Sequence, residues 1–411
     1  MNMSNKTKDY KIIPWNTETV YALGFYRTLT RTLGIWPLDQ KNIFSLVQVA
    51  TNSTLQLIII IIFIYKLFTI GNCSIITDIV DALSLVGTSI LSIMKMVLPH
   101  IHREKLFLIV NSAVEDWADI RDSKSRKIML KYAMIGRVVF MVQMIGAYIP
   151  ITILIFSNLP NLSTVYTDSI NISEISYRKI PIGPNCWISP TMPPQLYLLL
   201  YGLITIHLII LSTATIGGDV YIFGIAMHVC GQFEILYHNM EKLDGSDDYL
   251  TLRAKINQNS YRHSILLDFS NKFEESFSLI FLVQVAANTF LLGISSILLL
   301  WALNAGDSEI IIGSLVRIYL LYCQLYMYSY IGESLSHQSE KLQVAIYNCK
   351  WYEMSPRLSR DLAFIMMRNN YPFHLTAGKI INMNISSFKD LVKTMFSYFS
   401  IMRLMFDTNG D

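Results

Sequence analysis

The sequence has few charged residues for its length. Of its 411 residues only 15% are Asp, Glu, Lys or Arg, whereas 52% are hydrophobic. Soluble globular domains carry roughly 25% charged residues, so this chain cannot cover several soluble domains with charge. The 33 basic residues barely outnumber the 30 acidic ones, which leaves no dense basic surface for the phosphates of a nucleic acid. The composition therefore predicts a multi-spanning membrane protein that has no nucleic-acid partner.

Cysteine is also scarce, and histidine is not clustered. The five cysteines form no Cys-x-x-Cys pair, which excludes a disulfide scaffold and the usual zinc patterns. The eight histidines form no His-Glu-x-x-His motif, and only His207 lies deep in an apolar segment. We therefore expect no enzymatic activity, no metal and no cofactor.

Long apolar segments are what the sequence does contain. A spanning helix needs about 20 mostly apolar residues, because each residue adds about 1.5 Å across a hydrocarbon core of about 30 Å. The last candidate segment is the weakest, since four charged side chains, Lys389, Asp390, Lys393 and Arg403, lie within it or at its ends. The candidate segments are 43–68, 75–98, 130–157, one that begins at Gln195, 276–303, 310–331 and 384–408.

The stretch from Gln195 to Phe233 is long enough for one span or two. Lysine and arginine accumulate in cytoplasmic loops, so their distribution decides between the two readings. With one span there, the alternating loops hold 24 Lys and Arg on one side of the membrane and three on the other. Two spans would move the five basic residues of 238–272 to the opposite side. We therefore predict an all-α membrane protein with seven transmembrane helices, a cytoplasmic N-terminus and an extracellular C-terminus.

This topology divides the chain into four parts. The first part lacks the apolar core of a signal peptide, so we expect the first span itself to direct insertion. In the third part, Ser355-Pro356 fits a helix N-cap followed by proline at the first helical position, which predicts a helix from Pro356 to Arg368. The four parts are a cytoplasmic N-terminal segment (1–42), a six-helix transmembrane bundle (43–331), a cytoplasmic helical anchor (332–383), and a seventh helix with a short extracellular tail (384–411).

The longest predicted outer loop, 158–194, is rich in Pro, Ser and Asn, as is typical of an irregular exposed segment. It contains two Asn-x-Ser/Thr acceptors, Asn161 and Asn171, at which we expect glycosylation. Cys73 and Cys186 both fall on the outer side, where they either form a disulfide or remain free thiols.

Seven spans alone do not define a function. A G-protein-coupled receptor has the opposite orientation and carries an Asn-Pro-x-x-Tyr motif, and this chain contains no Asn-Pro dipeptide. A secondary transporter shows repeated halves and buried acids for ion coupling. Seven spans do not divide into equal halves, and we interpret Asp78, Asp81 and Asp219 as boundary or interface residues. Both classes are therefore disfavoured.

The region of about 320–405 carries a set of spaced motifs. They are Gly332-Glu333, Ser339, Ala345-Ile346-Tyr347, Trp351-Tyr352, the Leu375-Thr376-Ala377-Gly378-Lys379 run, Ser387-Phe388 and Ser397-Tyr398-Phe399. With these motifs and its inverted seven-span topology, the chain resembles the insect odorant receptor family. Gustatory receptors of the same superfamily share parts of the pattern and remain an alternative.

The resemblance implies an odorant-gated, non-selective cation channel. It implies a heterotetramer of this tuning subunit with the odorant co-receptor, in the plasma membrane of olfactory neuron dendrites. The seventh helices would line the pore, where a hydrated surface tolerates charges that lipid does not. The alternative for 384–408 is an interfacial amphipathic helix. By position, the resemblance places the narrowest part of the pore at Ile401, Leu404 and Met405, where apolar rings block ions by dewetting.

The resemblance also implies an odorant site within each subunit, in the outer half of the membrane, between the second, third, fourth and sixth spans. Apolar burial at about 25 cal/mol/Å² would supply affinity for a volatile, largely apolar molecule, and tyrosine hydroxyls would orient it. Helix packing is the alternative role for each candidate residue. Depth and helical spacing select Leu83, Val86, Gly87, Ile90, Met144, Ala147, Tyr148, Ile151, Tyr197, Tyr201, Ile204, Tyr319, Tyr322 and Tyr326.

Overall fold

The chain is mostly helical and contains one short β-hairpin among the described residues. The computed structural model describes residues 14–39, 43–69, 76–120, 122–160, 179–182, 187–188, 192–369 and 373–408. The helices are α1 (Thr17–Thr32), α2 (Ile43–Thr69), α3 (Ile76–Ile101), α4 (Arg103–Asp119), α5 (Ser123–Ser157), α6 (Pro194–Glu241), α7 (Tyr249–Ala305), α8 (Ser308–Asn348), α9 (Pro356–Asn369) and α10 (Ile385–Thr408). Strands β1 (Thr376–Ala377) and β2 (Ile381–Asn382) form an antiparallel hairpin just before α10.

Local sequence signals define several helix ends. The side chain of Asn16 caps α1 by accepting a hydrogen bond from the Thr19 backbone N–H at 2.6 Å. Asp122 caps α5 in the same way through Ser125, at 3.1 Å. Helix α7 ends at Gly306, whose φ of 71° lies in the left-handed region that glycine adopts without a steric penalty. These signals separate α4 from α5 and α7 from α8.

Among the described residues, six helices are long and apolar enough to cross a membrane: α2, α3, α5, α6, α7 and α8. They match the first six predicted spans. Helix α6 passes Gly217 and Gly218 without a break, so this stretch is one span, as predicted. Helix α10 falls outside this set because its charged residues lower its hydropathy, in agreement with the weak signal of 384–408.

The structure also contains helices that the search for apolar segments misses. Helix α1 lies within the predicted N-terminal segment 1–42, and α4 lies between the predicted spans 75–98 and 130–157. Their apolar residues occupy only one face, so a criterion based on a continuous apolar run cannot detect them. For the same reason α7 and α8 extend well beyond their predicted apolar segments, to 57 and 41 residues. The predicted helix that begins at Pro356 is confirmed as α9.

Helix α6 lies at the centre of the packing. It contacts α1, α3, α5, α7 and α8, and every residue from Gly217 to Phe233 is buried. Among the described residues, the main contacts of α10 are with α7 and α8. The hairpin before α10 is fixed to α7, because the Gly378 N–H donates to the Ser278 carbonyl at 2.9 Å and the Ser278 hydroxyl donates to the Thr376 carbonyl at 2.9 Å.

Candidate ligand cavity and pore helix

A cavity of about 830 Å³ is lined mainly by α5 and α8, which both pack against α6. Helix α3 contributes Ser84 and Thr88, and α7 contributes Leu291. Most of the lining is apolar, and sites for small molecules are typically apolar cavities of about 300–1,000 Å³ with a few placed polar groups. The apolar lining includes Ile135, Val138, Val139, Val142, Ile216, Phe223, Leu320, Leu321 and Met327.

Two charged side chains line this cavity, and each has an oppositely charged partner. Asp219 forms an ion pair with Lys95 of α3, and both side chains are buried. The Arg317 Nη2 atom lies 2.5 Å from Asp81 Oδ1. An ionisable group inside a span is costly unless it is paired, so these pairs explain how the bundle tolerates the four charges. Both charged groups in the cavity wall are therefore balanced by a partner of opposite charge.

A chain of amide groups connects the cavity wall to α7. Gln324 lines the cavity and donates to Asp219 Oδ2 at 2.9 Å, and the Tyr328 hydroxyl donates to Oδ1 of the same carboxylate. Asn288 donates to Gln324 at 3.2 Å, and Gln284 donates to Asn288 at 2.8 Å. These hydrogen bonds fix the relative positions of α6, α7 and α8 at the depth of the cavity.

An aromatic contact connects the cavity to α10. Tyr326 lines the cavity, and its ring lies 5.6 Å from the ring of Phe388 on α10, at an interplanar angle of 70°. On its other side Tyr326 lies 6.3 Å from Tyr330, which stacks on Phe223 of α6. One side chain of α8 thus contacts the cavity and the last helix together.

The structure brings three of the predicted ligand-site residues together at this cavity: Ala147, Tyr319 and Tyr326. Tyr148, the neighbour of Ala147, hydrogen-bonds to Thr213 of α6 at 2.6 Å and does not line the cavity. Met144 and Tyr322 are half-buried and pack against the main hydrophobic core.

The other predicted residues lie elsewhere. Val86, Tyr197 and Ile204 belong to a separate hydrophobic cluster formed with Phe63 and Trp187. The Tyr201 hydroxyl donates to the backbone carbonyl of Ile155 at 2.7 Å, which is a helix-packing contact. Leu83, Gly87 and Ile151 are half-buried and Ile90 is exposed, and these four residues do not line the cavity.

Sequence reasoning missed the polar residues of the site. It interprets Asp81 and Asp219 as boundary or interface residues, whereas both take part in ion pairs between helices, and Asp219 is only 2% exposed. A signal was available: Lys95 and Asp219 are charges in two otherwise apolar segments, and such charges usually pair. Gln143 and Gln324, which also line the cavity, carry no comparable signal.

Helix α10 has an unusual environment within one subunit. None of its described side chains is fully buried, and Lys389, Lys393 and Ile401 are exposed. Leu404 is also exposed, and the Met405 side chain lies outside the described residues. At the other end, the Ile385 N–H donates to Glu333 of α8 at 3.3 Å, and Asn384 caps the helix by accepting from the Ser387 N–H at 2.7 Å. Helix α10 is thus fixed at its start and exposed along its length.

Four residues of the predicted outer side lie outside the described residues. They are the two glycosylation candidates, Asn161 and Asn171, and the cysteines Cys73 and Cys186.

Taken together, the apolar helices and the ligand-sized cavity are typical of a multi-spanning helical membrane protein that binds a small molecule. The chain belongs to the 7tm odorant receptor family, whose model matches residues 75–396. The resemblance seen in the sequence is thereby confirmed.

Individual relatives match shorter segments. Odorant receptor 85b of Drosophila melanogaster is 22% identical over 196 residues, which cover 47% of this chain and 49% of that protein. Odorant receptor 2a of the same fly is 27% identical over 103 residues, or 25% of this chain and 26% of that protein. The chain spans about a quarter to a half of the length of the curated relatives it matches.

Two solved structures match almost the whole chain. The insect olfactory receptor OR5 from Machilis hrabei superimposes with a TM-score of 0.75 at 14% identity, over 93% of this chain and 99% of that one. The same receptor in complex with eugenol gives a TM-score of 0.73 at 15% identity, over 94% and 99%. This likeness establishes the fold and confirms the predicted all-α, seven-span architecture.

Proposed function

We propose that the protein is an odorant receptor subunit in which a volatile small molecule binds the cavity between α5 and α8 and opens a non-selective cation pore. The observation that carries the proposal is the position of Tyr326, which lines the cavity and contacts Phe388 of α10. Membership of the odorant receptor family supports it. The complex of the Machilis hrabei receptor with eugenol supports a small organic ligand for this chain as well.

The lining of the cavity favours a neutral ligand. A charged ligand would lose its hydration and meet no free counter-charge, because Asp219 and Arg317 are already paired. Apolar surface dominates the lining, so burial at about 25 cal/mol/Å² supplies most of the affinity. Gln143 and the tyrosines at 319, 326 and 330 supply the polar groups that orient an oxygen-bearing volatile.

A ligand opens the pore only if the open state binds it more tightly than the closed state. A ligand in contact with Tyr326 changes the preferred position of that ring, and the ring is in contact with α10 through Phe388. We therefore propose that ligand binding moves α10 through this pair. The proposed gate is the apolar set Ile401, Leu404 and Met405, which blocks ions by dewetting while the helices are close together.

The pore requires more than one subunit, and we propose a heterotetramer with the odorant co-receptor in the plasma membrane. The exposure of Lys389 and Lys393 on α10 supports this arrangement, because charged side chains at membrane depth need protein neighbours or water. The 24-to-3 distribution of basic residues supports a cytoplasmic N-terminus and an extracellular C-terminus. In that orientation Asn161 and Asn171 are the proposed glycosylation sites.

Co-expression of this chain with the co-receptor tests the proposal directly. We expect whole-cell cation currents that begin on application of neutral volatiles, require both subunits, and disappear when either is omitted. A matched panel of charged analogues, with an amine or carboxylate in place of the neutral group, should give much weaker responses. Currents evoked only by non-volatile tastants would instead favour a gustatory receptor. No current with any volatile, despite both subunits at the cell surface, would contradict the proposal.

A further inference from the structure

A second groove of about 830 Å³ lies where α1 meets α5, apart from the proposed odorant cavity. Three of its lining residues are arginines: Arg27 and Arg31 from α1, and Arg137 from α5. None of the described residues that line it is acidic, and its other lining residues are mostly apolar, aromatic or hydroxyl-bearing, with Val20 and Tyr21 among them. The groove therefore combines positive charge with an apolar wall.

Two of these arginines have no acidic partner among the described residues. The Arg137 guanidinium lies over the rings of Tyr21 and Phe25, at 4.1 and 4.6 Å from the ring centroids, and it donates to the Tyr21 carbonyl at 2.9 Å. The Arg27 guanidinium lies 4.6 Å from the ring centroid of Trp15. Arg31 pairs with Asp39 at 3.3 Å and is largely exposed.

An aromatic ring covers one face of a guanidinium and leaves its N–H groups free at the edge. Arg27 and Arg137 therefore place two positive charges in one groove, with donors available and with no carboxylate partner in the part of the chain that the structure describes. This arrangement suits a phosphate group, because the planar guanidinium of arginine can donate two parallel hydrogen bonds to phosphate oxygens.

The groove lies at the boundary between apolar and polar surface. On α5 the exposed apolar side chains begin close to Arg137, at Met134 and Val138. The preceding turns of α5 carry exposed basic residues, among them Lys127 and Lys131. On the other wall, Val20 of α1 is also exposed. Phosphate groups of a bilayer occupy this boundary, next to the hydrocarbon surface.

We propose that this groove binds the phosphate group of an anionic membrane lipid. Arg27 and Arg137 hold the phosphate oxygens, Arg31 lies at the rim, and the acyl chains lie along Val20 and the exposed apolar face of α5. In the orientation proposed above, the groove faces the cytoplasmic leaflet, where anionic lipids are concentrated. The apolar wall is what favours a lipid over free phosphate, because a soluble anion would leave that wall in contact with water.

The test uses the purified complex with its co-receptor, reconstituted in nanodiscs of phosphatidylcholine with or without phosphatidylserine. Native mass spectrometry then measures how much phosphatidylserine remains bound per copy of this chain. Each basic residue near a membrane surface contributes about 1 kcal/mol of attraction to anionic lipid, so the double variant Arg27→Gln/Arg137→Gln should retain about thirtyfold less phosphatidylserine than wild type. Lys242→Gln, an exposed cation beyond the end of α6 and outside the groove, is the control and should retain the wild-type amount.

Two further arms make the outcome decisive. The variant Arg27→Lys/Arg137→Lys keeps both charges but loses the paired guanidinium donors and the ring stacking, so it should retain an amount of phosphatidylserine between those of wild type and the glutamine variant. Inorganic phosphate added to phosphatidylcholine nanodiscs should give no retained adduct. Three results would each overturn the proposal. The first is equal retention of phosphatidylserine by wild type and the glutamine variant, and the second is a loss of phosphatidylserine in the lysine variant as complete as in the glutamine variant. The third is a retained phosphate adduct.

Discussion

Helices α6 and α10 belong to the same seven-span fold, yet their surroundings within one subunit are opposite. From Gly217 to Phe233 every residue of α6 is buried, by neighbours that all come from the same chain. No described side chain of α10 is fully buried, and its exposed residues are both charged and apolar. The chain itself thus provides the environment of α6, whereas the exposure of α10 supports the proposal that other subunits or water surround it. Substitutions in the two helices should therefore act on different properties.

The largest effect is expected from Asp219→Ala in α6. The substitution leaves Lys95 buried without its partner, and breaking a buried ion pair in this way costs about 3–5 kcal/mol. We expect loss of most protein from the cell surface, measured by surface labelling, and a lower melting temperature of any purified complex. The compensating double variant Lys95→Met/Asp219→Asn removes both charges and should recover much of the loss. Normal surface amounts of Asp219→Ala would show that α6 does not depend on this pair.

A smaller effect is expected from Ala147→Phe, which reduces the volume of the cavity. The larger ring competes with the ligand for space, and a misfit of one or two methylene groups changes discrimination by about 10- to 200-fold. We expect the half-maximal odorant concentration to rise at least tenfold for the bulkiest agonists, with surface expression retained. Tyr201→Phe, which removes a hydroxyl bonded to Ile155 outside the cavity, is the control and should leave the odorant profile unchanged. If wild type and Ala147→Phe responded equally to every agonist, the proposal that the ligand binds in this cavity would be contradicted.

The link between the cavity and α10 should give a coupling energy of moderate size. An edge-to-face aromatic pair contributes about 0.5–1.5 kcal/mol beyond its buried area. In a double-mutant cycle of Tyr326→Ala and Phe388→Ala, we expect that much non-additivity in the free energy of channel opening, measured from dose–response curves. Tyr330→Phe keeps the ring and should show little coupling to Phe388. Strictly additive effects of the two alanine substitutions on the free energy of channel opening would contradict the proposed coupling between the ligand cavity and α10.

The smallest effect on stability is expected from Ile401→Ala in α10, because this side chain is 51% exposed within the subunit. We expect unchanged surface expression, in contrast to Asp219→Ala, together with a basal current raised above wild type because the apolar constriction is wider. Current recorded without odorant, normalised to surface protein, measures this. Ser400→Ala, on the same helix, is the control and should leave the basal current unchanged. Loss of surface expression in Ile401→Ala would mean that α10 stabilises the subunit itself.

The span pattern was predictable because membrane insertion depends on the length of an apolar segment, a property of the local sequence. The single span from Gln195 to Phe233 followed from charge placement and is observed as α6. Helix α1 was not predictable from the same signal, because its stability comes from an amphipathic face packed against α5 and α6.

The ligand-site residues were harder to predict than the spans. Tyr197 and Tyr326 are both tyrosines in apolar spans, yet one packs in a closed cluster and the other lines the cavity. Helical spacing groups residues on a face but does not say which neighbour that face meets. The pairing of Lys95 with Asp219 depends on the same tertiary information, and only the rule that buried charges pair could have suggested it.

The attachment of the β1–β2 hairpin to α7 has a mechanical consequence for α10. The hairpin is bonded to the Ser278 backbone and side chain, so α10 is fixed at its first residues and behaves as a lever with a pivot near Ile385. Phe388 lies about 4.5 Å along the axis from that pivot and Ile401 lies about 24 Å along it, at 1.5 Å per residue. A displacement of about 1 Å at Phe388 therefore becomes about 5 Å at Ile401 if the helix tilts as a rigid rod. On this geometry, small adjustments around Tyr326 would be magnified at Ile401, within the proposed gate.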